Sequence, residues 1–225
     1  MSACVCVVCS FVLVTCCVIL DTYPMGWVVA GLGNPGEDYT GTRHNVGRDF
    51  LMAIAKKEGI DVWKEDKSAG KRTALFAKGT FFGKKVHLVL PDTYMNNSGA
   101  ALKALIKTKK DAEKLVVMHD ELDLPLGAVK FSFGSGSGGH NGINSLHTVL
   151  KTRDFIRIRI GISPKTPSGK LKKPPQEKVV DFVLSEFRAP EKETLKKAKK
   201  TVAEALELLL NEGLEKARTE IHAKF

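Results

Sequence analysis

Four short runs carry side chains that could do chemistry: Thr42-Arg-His-Asn45, Tyr94-Met-Asn96, His119-Asp-Glu-Leu-Asp123 and Gly138-Gly-His-Asn141. Each falls where a predicted strand or glycine loop meets a predicted helix, the place where α/β folds present functional groups. Together they supply imidazole, carboxylate and carboxamide, with no alcohol or thiol in a nucleophile's position. That set suits direct attack by water. A neutral imidazole removes the proton, an Asp fixes its tautomer and stabilises the imidazolium, and carboxamides hold a carbonyl and its developing charge. Taken singly, the same residues are ordinary caps and turn formers. A metal centre built from His44, His119, His140 and Asp120 is the weaker reading, because the set has no i,i+4 histidine pair and few carboxylates.

Other chemistries lose support by pattern. Gly31-Leu-Gly33-Asn-Pro-Gly36 fits G-x-G-x-x-G after a strand. A dinucleotide fingerprint needs that turn to open a helix at once, with a later acidic residue for the ribose. Here Pro35 removes a backbone donor and Glu37-Asp-Tyr-Thr-Gly does not continue as a helix. The Asn-Pro-Gly run reads better as a rigid turn aiming Asn34 out of a sheet edge. The chain has no G-x-S-x-G elbow, no G-x-x-x-x-G-K-[ST] loop and no H-E-x-x-H pair, which argues against serine-hydrolase, P-loop and zincin mechanisms.

The elements that must position these groups follow from periodicity. Trp27 to Leu32 reads as a strand. Asn45 is placed to cap a helix reaching Glu58, with Phe50, Leu51, Ile54 and Ala55 on its apolar face. Thr73–Lys78 and Lys85–Leu90 suggest a hairpin around residues 79–83. A helix is expected over Ser98–Lys107, and a buried strand over Leu115–Met118. Val129–Phe133 should be a half-exposed strand. The glycine-rich run to Gly142 should open a helix of about ten residues. Phe155–Ile162 alternates, with Arg157 and Arg159 on one face and isoleucines on the other. Lys165–Lys178 is Pro/Lys/Gly-rich and reads as a solvated loop. The last 35 residues are helical, divided at Gly213. Interleaved strands and helices indicate one α/β domain with a mixed sheet.

The 225 residues include 35 Lys+Arg against 25 Asp+Glu, a formal charge of +10 that favours a polyanionic partner. The Lys196-Lys197…Lys199-Lys200 cluster is a solvated helix face that adds to this field. All five cysteines lie in the first 17 residues. The remaining body therefore has no disulfide framework, cysteine-ligated zinc or cysteine nucleophile. Residues 3–20 form an apolar run without the basic start of a signal peptide. Residues 1–24 are expected to be an extension outside the fold, with residues 25–225 the working domain. A membrane anchor through residues 3–20 is the alternative, since that length lies at the lower edge for a span.

Several of these runs lie in the order and spacing of a known family. Val28–Gly36, Tyr39, Thr42–Gly47, Tyr94–Gly99, His119–Gly127 and Gly138–Gly142 together resemble bacterial-type peptidyl-tRNA hydrolase, over roughly Trp27 to the C-terminus. The resemblance implies a single α/β domain, a twisted mixed β-sheet flanked by helices. It implies an enzyme that cleaves the ester between a nascent peptide and the 3′ end of its tRNA, with no metal and no organic cofactor. By position His44 matches the general base, Asp120 the carboxylate that orients it, and Asn34 the residue that tells peptidyl-tRNA from unblocked aminoacyl-tRNA. Asn96 and Asn141 match positions that bind the peptide and terminal nucleotide, Asn96 also helping to place the water. Tyr39 and Tyr94 match the groove for the tRNA end and peptide, and Lys130, Arg157 and Arg159 the phosphate contacts.

Tyr94 stands where many members have Phe, and Ser132 where some have Lys. The Lys165–Lys178 loop is longer and more basic than usual, and the apolar extension is foreign to the family. The implied partner is peptidyl-tRNA, with no stable protein partner. A cytoplasmic monomer is expected, with an organellar matrix or a tether through residues 3–20 as alternatives. A non-catalytic RNA-binding protein on the same scaffold is the competing function, although binding alone needs no base with an orienting acid. A small-molecule amidase or esterase would leave the basic excess unused.

Overall fold

The computed structural model describes residues 26–68 and 71–225. The expected extension over residues 1–24 lies outside the described residues. In chain order the strands and helices are β1 (Trp27–Gly31), α1 (Val46–Lys57), β2 (Lys64–Ser68), β3 (Lys71–Phe81), β4 (Lys84–Pro91), α2 (Ser98–Leu102), α3 (Lys109–Ala112), β5 (Leu115–Pro125), β6 (Val129–Phe133), α4 (Asn141–Leu150), β7 (Ile156–Ser163), α5 (Val179–Leu184), α6 (Ala189–Glu212) and α7 (Leu214–His222). Among the described residues no helix is long and apolar enough to cross a membrane.

The strands form one mixed sheet in the order β2-β3-β4-β1-β5-β7-β6. Its centre is parallel, β1 lying between β4 and β5, and β5 pairing with β7. The outer pairs are antiparallel. Central strands such as Val28-Val-Ala and Leu115-Val-Val-Met are apolar on both faces because helices cover both. On one face α1, α6 and α7 pack through Leu51, Ile54, Val202, Leu206 and Ile221. On the other, α2 and α4 pack through Leu102, Ile143 and Leu146. The chain leaves β1 into α1 on one face and leaves its neighbour β4 into α2 on the other, so a crevice opens beyond the carboxyl ends of these strands, where open α/β sheets place ligands.

Several elements differ from the sequence expectation, each for a local reason. The hairpin between β3 and β4 turns on two residues, Phe82 and Gly83, both at positive φ (48° and 76°). That is the geometry a two-residue hairpin requires, and it lengthens both strands. The expected helix from Ser98 to Lys107 stops at Leu102. Thr108 and Asp111 form a capping box that starts α3 instead, and the break lets both Leu102 and Ile106 bury. β2 is a charged segment, Lys64-Glu-Asp-Lys-Ser68, held as an edge strand by backbone pairing to β3. β5 runs on to Pro125 because β7 continues the ladder past Asp120 and Glu121. α5 was not expected at all; its Val183 and the following Phe187 bury against the body. Gly213 does divide α6 from α7, at φ 88°.

Candidate active site

His44 lies on a short 3-10 turn, Arg43–Asn45, immediately before α1. That turn rests on β5 because residue 47 is glycine, where a Cβ would overlap the Met118 carbonyl. The turn is also clamped from behind. The Arg43 guanidinium lies between the rings of Phe182 and Phe187, 4.6 and 4.7 Å from their centroids, and pairs with Glu191 at 2.7 Å. It also donates to the Ile162 carbonyl and the Ser185 hydroxyl. The result is a histidine fixed over the carboxyl half of β5.

There His44 Nδ1 meets Asp120 Oδ1 at 2.8 Å, with the His44 side chain 11% and Asp120 3% exposed. A carboxylate at Nδ1 makes that nitrogen the N–H donor and leaves Nε2 with a free lone pair. Burial alone would lower the His44 pKa. The Asp120 charge and hydrogen bond outweigh it, so the pKa is raised. Burial pushes Asp120 the other way, toward protonation. The charges and hydrogen bonds of His44 and His140 overcome that and hold its carboxyl far below the ordinary range. The ionised acid and the basic imidazole are thus each other's cause.

His140, which belongs to the Gly138–Asn141 run and to the weaker metal reading, is the third member of this group. Its Nε2 donates to the same Asp120 Oδ1 at 2.9 Å, while its Nδ1 accepts the Gly142 and Ile143 amide hydrogens at 3.1 and 3.3 Å, capping α4. Those two amides fix the tautomer, since Nδ1 must be bare and Nε2 protonated. A sequence signal existed: a side-chain acceptor directly before a predicted helix. The Asp120 partner, 20 residues upstream, left none. His119 points elsewhere. Its Nδ1 donates to the Asp120 carbonyl at 2.7 Å, and burial, with His140 and Arg157 nearby, holds its pKa well below normal. His44, Asp120 and His140 do bring ligand atoms within 4.8 Å of one another. As a metal site they fit poorly, because the His140 nitrogen facing the group carries its proton and offers no lone pair.

The carboxamides divide by role. Asn45 sits at the N-cap position of α1 yet makes no capping bond. Its side chain reaches back to Asn34 instead, accepting the Asn34 amide hydrogen at 2.8 Å and donating to the Asn34 carbonyl at 2.9 Å. The Asn34 side-chain oxygen accepts the Met95 N–H at 2.8 Å. That leaves the Asn34 Nδ2, a pure donor, as the uncommitted end of the side chain. Asn96 and Asn141 are exposed, one on the 3-10 turn Met95–Asn97 and the other opening α4, and both line one trough. Residue 142 must be glycine for that approach, because a Cβ would press on Met95 Sδ at 2.6 Å.

Tyr39 and Tyr94 meet edge to face with centroids 6.3 Å apart, and Tyr94 is 63% exposed. Lys130 and Arg159 are register partners on β6 and β7. Arg159 Nε donates to Glu121 at 2.8 Å and its terminal nitrogens have no protein partner among the described residues. Arg157 corrects the expectation of a phosphate contact. It is 3% exposed and donates to the Gly136 carbonyl at 2.9 Å, so it ties the glycine loop to the sheet. The alternation that put it beside Arg159 was right; that face is covered at Arg157 by the loop.

Comparison with known proteins agrees with this geometry. The family model for peptidyl-tRNA hydrolase matches residues 28–225. The chain is 36% identical over 196 residues to a peptidyl-tRNA hydrolase of Syntrophotalea carbinolica, covering 87% of this chain and 96% of that one. It is 40% identical over 197 residues to one of Nocardia farcinica, covering 87% and 95%. The crystal structure of the peptidyl-tRNA hydrolase from Acinetobacter baumannii superposes with a TM-score of 0.75 at 31% identity, covering 88% of this chain and 94% of that one.

Proposed function

The chain belongs to the peptidyl-tRNA hydrolase family, and from that membership we propose that His44 is the general base for hydrolysis of the ester joining a peptide to the 3′ end of tRNA. Water held beside His44 loses a proton to the free Nε2 as its oxygen attacks the ester carbonyl carbon. Asp120 keeps the imidazole in the required tautomer and offsets the charge it gains. The carbonyl oxygen becomes an oxyanion, and carboxamide N–H groups of the Asn34, Asn96 and Asn141 cluster are the donors at hand for it. One such donor is worth about 3–4 kcal/mol in comparable sites. Collapse of the intermediate breaks the bond to the ribose oxygen, which takes the proton back from His44. The peptide leaves as a carboxylic acid and no covalent intermediate forms. The observation that carries this reading is the 2.8 Å contact from His44 Nδ1 to Asp120, which leaves Nε2 as the base.

Selectivity follows from the orientation of Asn34. With its oxygen committed to Met95, it offers only N–H. An N-blocked substrate presents a carbonyl acceptor beyond its last residue, whereas an unblocked aminoacyl group presents an ammonium, a donor facing a donor. Lys130 and Arg159 are the groups proposed to take tRNA phosphates, with Tyr39 and Tyr94 as the aromatic surface for the single-stranded end. The substrate places the work in the cytoplasm, or an organellar equivalent, with residues 25–225 acting as a monomer and needing no cofactor or stable protein partner.

The test compares N-acetylaminoacyl-tRNA with unblocked aminoacyl-tRNA carrying the same residue. The unaltered protein should cleave the first and spare the second. Asn34→Asp should narrow that ratio by about tenfold or more, because a carboxylate welcomes the ammonium. Equal cleavage of both substrates by the unaltered protein would overturn the reading.

A further inference from the structure

Successive residues of β5 enter opposite cores, Val117 the one under α2 and α4 and Met118 the one under α1. Alternation returns residue 119 to the first of these, where Leu115 and Val117 are apolar and a leucine would serve. The residue is a histidine instead, 1% exposed. Its Nε2 is buried and has no hydrogen-bond partner among the described residues, a cost that an apolar side chain would not carry. Two contacts offset that cost. His119 Nδ1 donates to the Asp120 carbonyl at 2.7 Å, and its ring meets the His140 ring edge to face, with centroids 4.7 Å apart. The His140 ring also meets that of His44, at 5.0 Å between centroids, so His140 packs against both imidazoles.

We propose that His119 is a positioning residue of the reaction centre, holding the Asp120 main chain through its Nδ1–H and the His140 ring through its own. The inference rests on the reading of His44 as base and adds to it what aims the acid. Both bonds to Asp120 end on the same Oδ1, at 2.8 and 2.9 Å, so a small swing of the carboxylate weakens one or both. The sheet alone restrains the main chain poorly at this point. The β5–β7 ladder is regular to Glu121 and shifts register before Pro125, which leaves Asp120 one residue from the end of the regular pairing. The bond to the Asp120 carbonyl supplies a further restraint, and the ring against His140 keeps its Nε2–H on the carboxylate. A neutral His119 is needed for this, because an imidazolium would repel the positive charge that His44 gains. The charged and titratable groups that bear on it are Asp120 and His140 at the centre and Arg157 from β7. Burial, His140 and Arg157 oppose its protonation and prevail over the Asp120 charge. Its register partner Arg159 is engaged by Glu121. A carbonyl can only accept, so the neutral ring is the Nδ1–H form.

The experiment uses the full chain with N-acetylaminoacyl-tRNA. His119→Leu fills the space and removes both contacts. Its kcat should fall about tenfold with KM unchanged. The inflection of its kcat/KM should move to lower pH, since a carboxylate less well aimed supports the His44 imidazolium less. His119→Asn keeps an N–H near the Nδ1 position without the ring, and His119→Phe keeps a ring without the N–H. Each should recover part of kcat and part of the inflection. If His119→Leu matches the unaltered protein in inflection and in kcat per folded molecule, His119 is packing alone and the proposal is overturned. A raised KM at unchanged kcat would place it on the substrate and overturn the proposal as well. Nitrogen-15 NMR of the histidine rings in the unaltered protein tests the same claim without requiring any variant to fold. His119 should stay neutral and Nδ1-protonated from about pH 5 to 9, and titration near about 6.5, or the Nε2–H form, would overturn the proposal. Loss of turnover in His44→Ala is expected whichever result His119 gives, so failure of this proposal is distinct from failure of the hydrolase reading.

Discussion

The reaction centre and the trough beside it are built on opposite rules. At the centre, His44, Asp120 and His140 are nearly or wholly buried, and their hydrogen bonds of 2.8 and 2.9 Å converge on one carboxylate oxygen. His44 Nε2 is left open. Along the trough the carboxamides are exposed and have no protein partner among the described residues. A base has to be oriented before the substrate arrives, so its surroundings are saturated. Exposed groups whose hydrogen bonds are unspent can still gain from a newcomer, whereas a donor already satisfied gains little. Asn34 lies on the border and obeys both rules, its oxygen fixed and its nitrogen free.

The sharpest way to break the contrast is His44→Ala. Removing the base should cut kcat by about 10²–10⁴-fold while tRNA affinity stays nearly the same; single-turnover kinetics with a binding titration would show it, and near-normal turnover would refute the assignment. His140 gives a smaller and more discriminating effect. His140→Ala removes both the cap of α4 and one bond to Asp120, so kcat should fall about tenfold and stability by about 1 kcal/mol. His140→Asn can restore the cap but is too short to reach Asp120. Thermal unfolding should therefore recover while kcat does not, and joint recovery would reduce His140 to a cap alone. The smallest effect belongs to the surface. Arg159→Ala should raise KM by a few-fold more than it lowers kcat and flatten the salt dependence by about one ion. Arg157→Ala should leave that slope unchanged, because Arg157 holds the Gly136 carbonyl.

Much of the centre was legible because its groups sit at junctions that sequence periodicity can locate. His44 precedes a helix with a clear apolar face, and Asp120 follows a run of four buried apolar residues. What could not be read is which distant group each side chain would meet. Asn45 looks like a cap, since capping is a rule about the next three residues. Its real partner, Asn34, arrives from β1 through the fold. Arg157 looks exposed by strand alternation, because alternation distinguishes two faces and says nothing of a loop laid over one of them. The charged strand β2 has no apolar signal; it is held by backbone pairing to β3, with the Thr73 hydroxyl donating to Asp66 across the pair. The aligned carboxamides of the trough come from two separate segments, the turn after β4 and the first turns of α4. Packing of Gly142 against Met95 and of Gly99 against Ser145 brings those together.

The account stands or falls on Asp120 acting through His44, and the pH dependence of kcat/KM tests that most directly. The reactive form is the neutral imidazole, so activity should drop as pH falls through the His44 pKa. Because the Asp120 charge raises that pKa against the effect of burial, the inflection should lie above the ordinary histidine value of about 6.5. Asp120→Asn should move it to lower pH and lower the plateau by about 10²–10⁴-fold. An inflection at the same pH in both proteins would contradict the account.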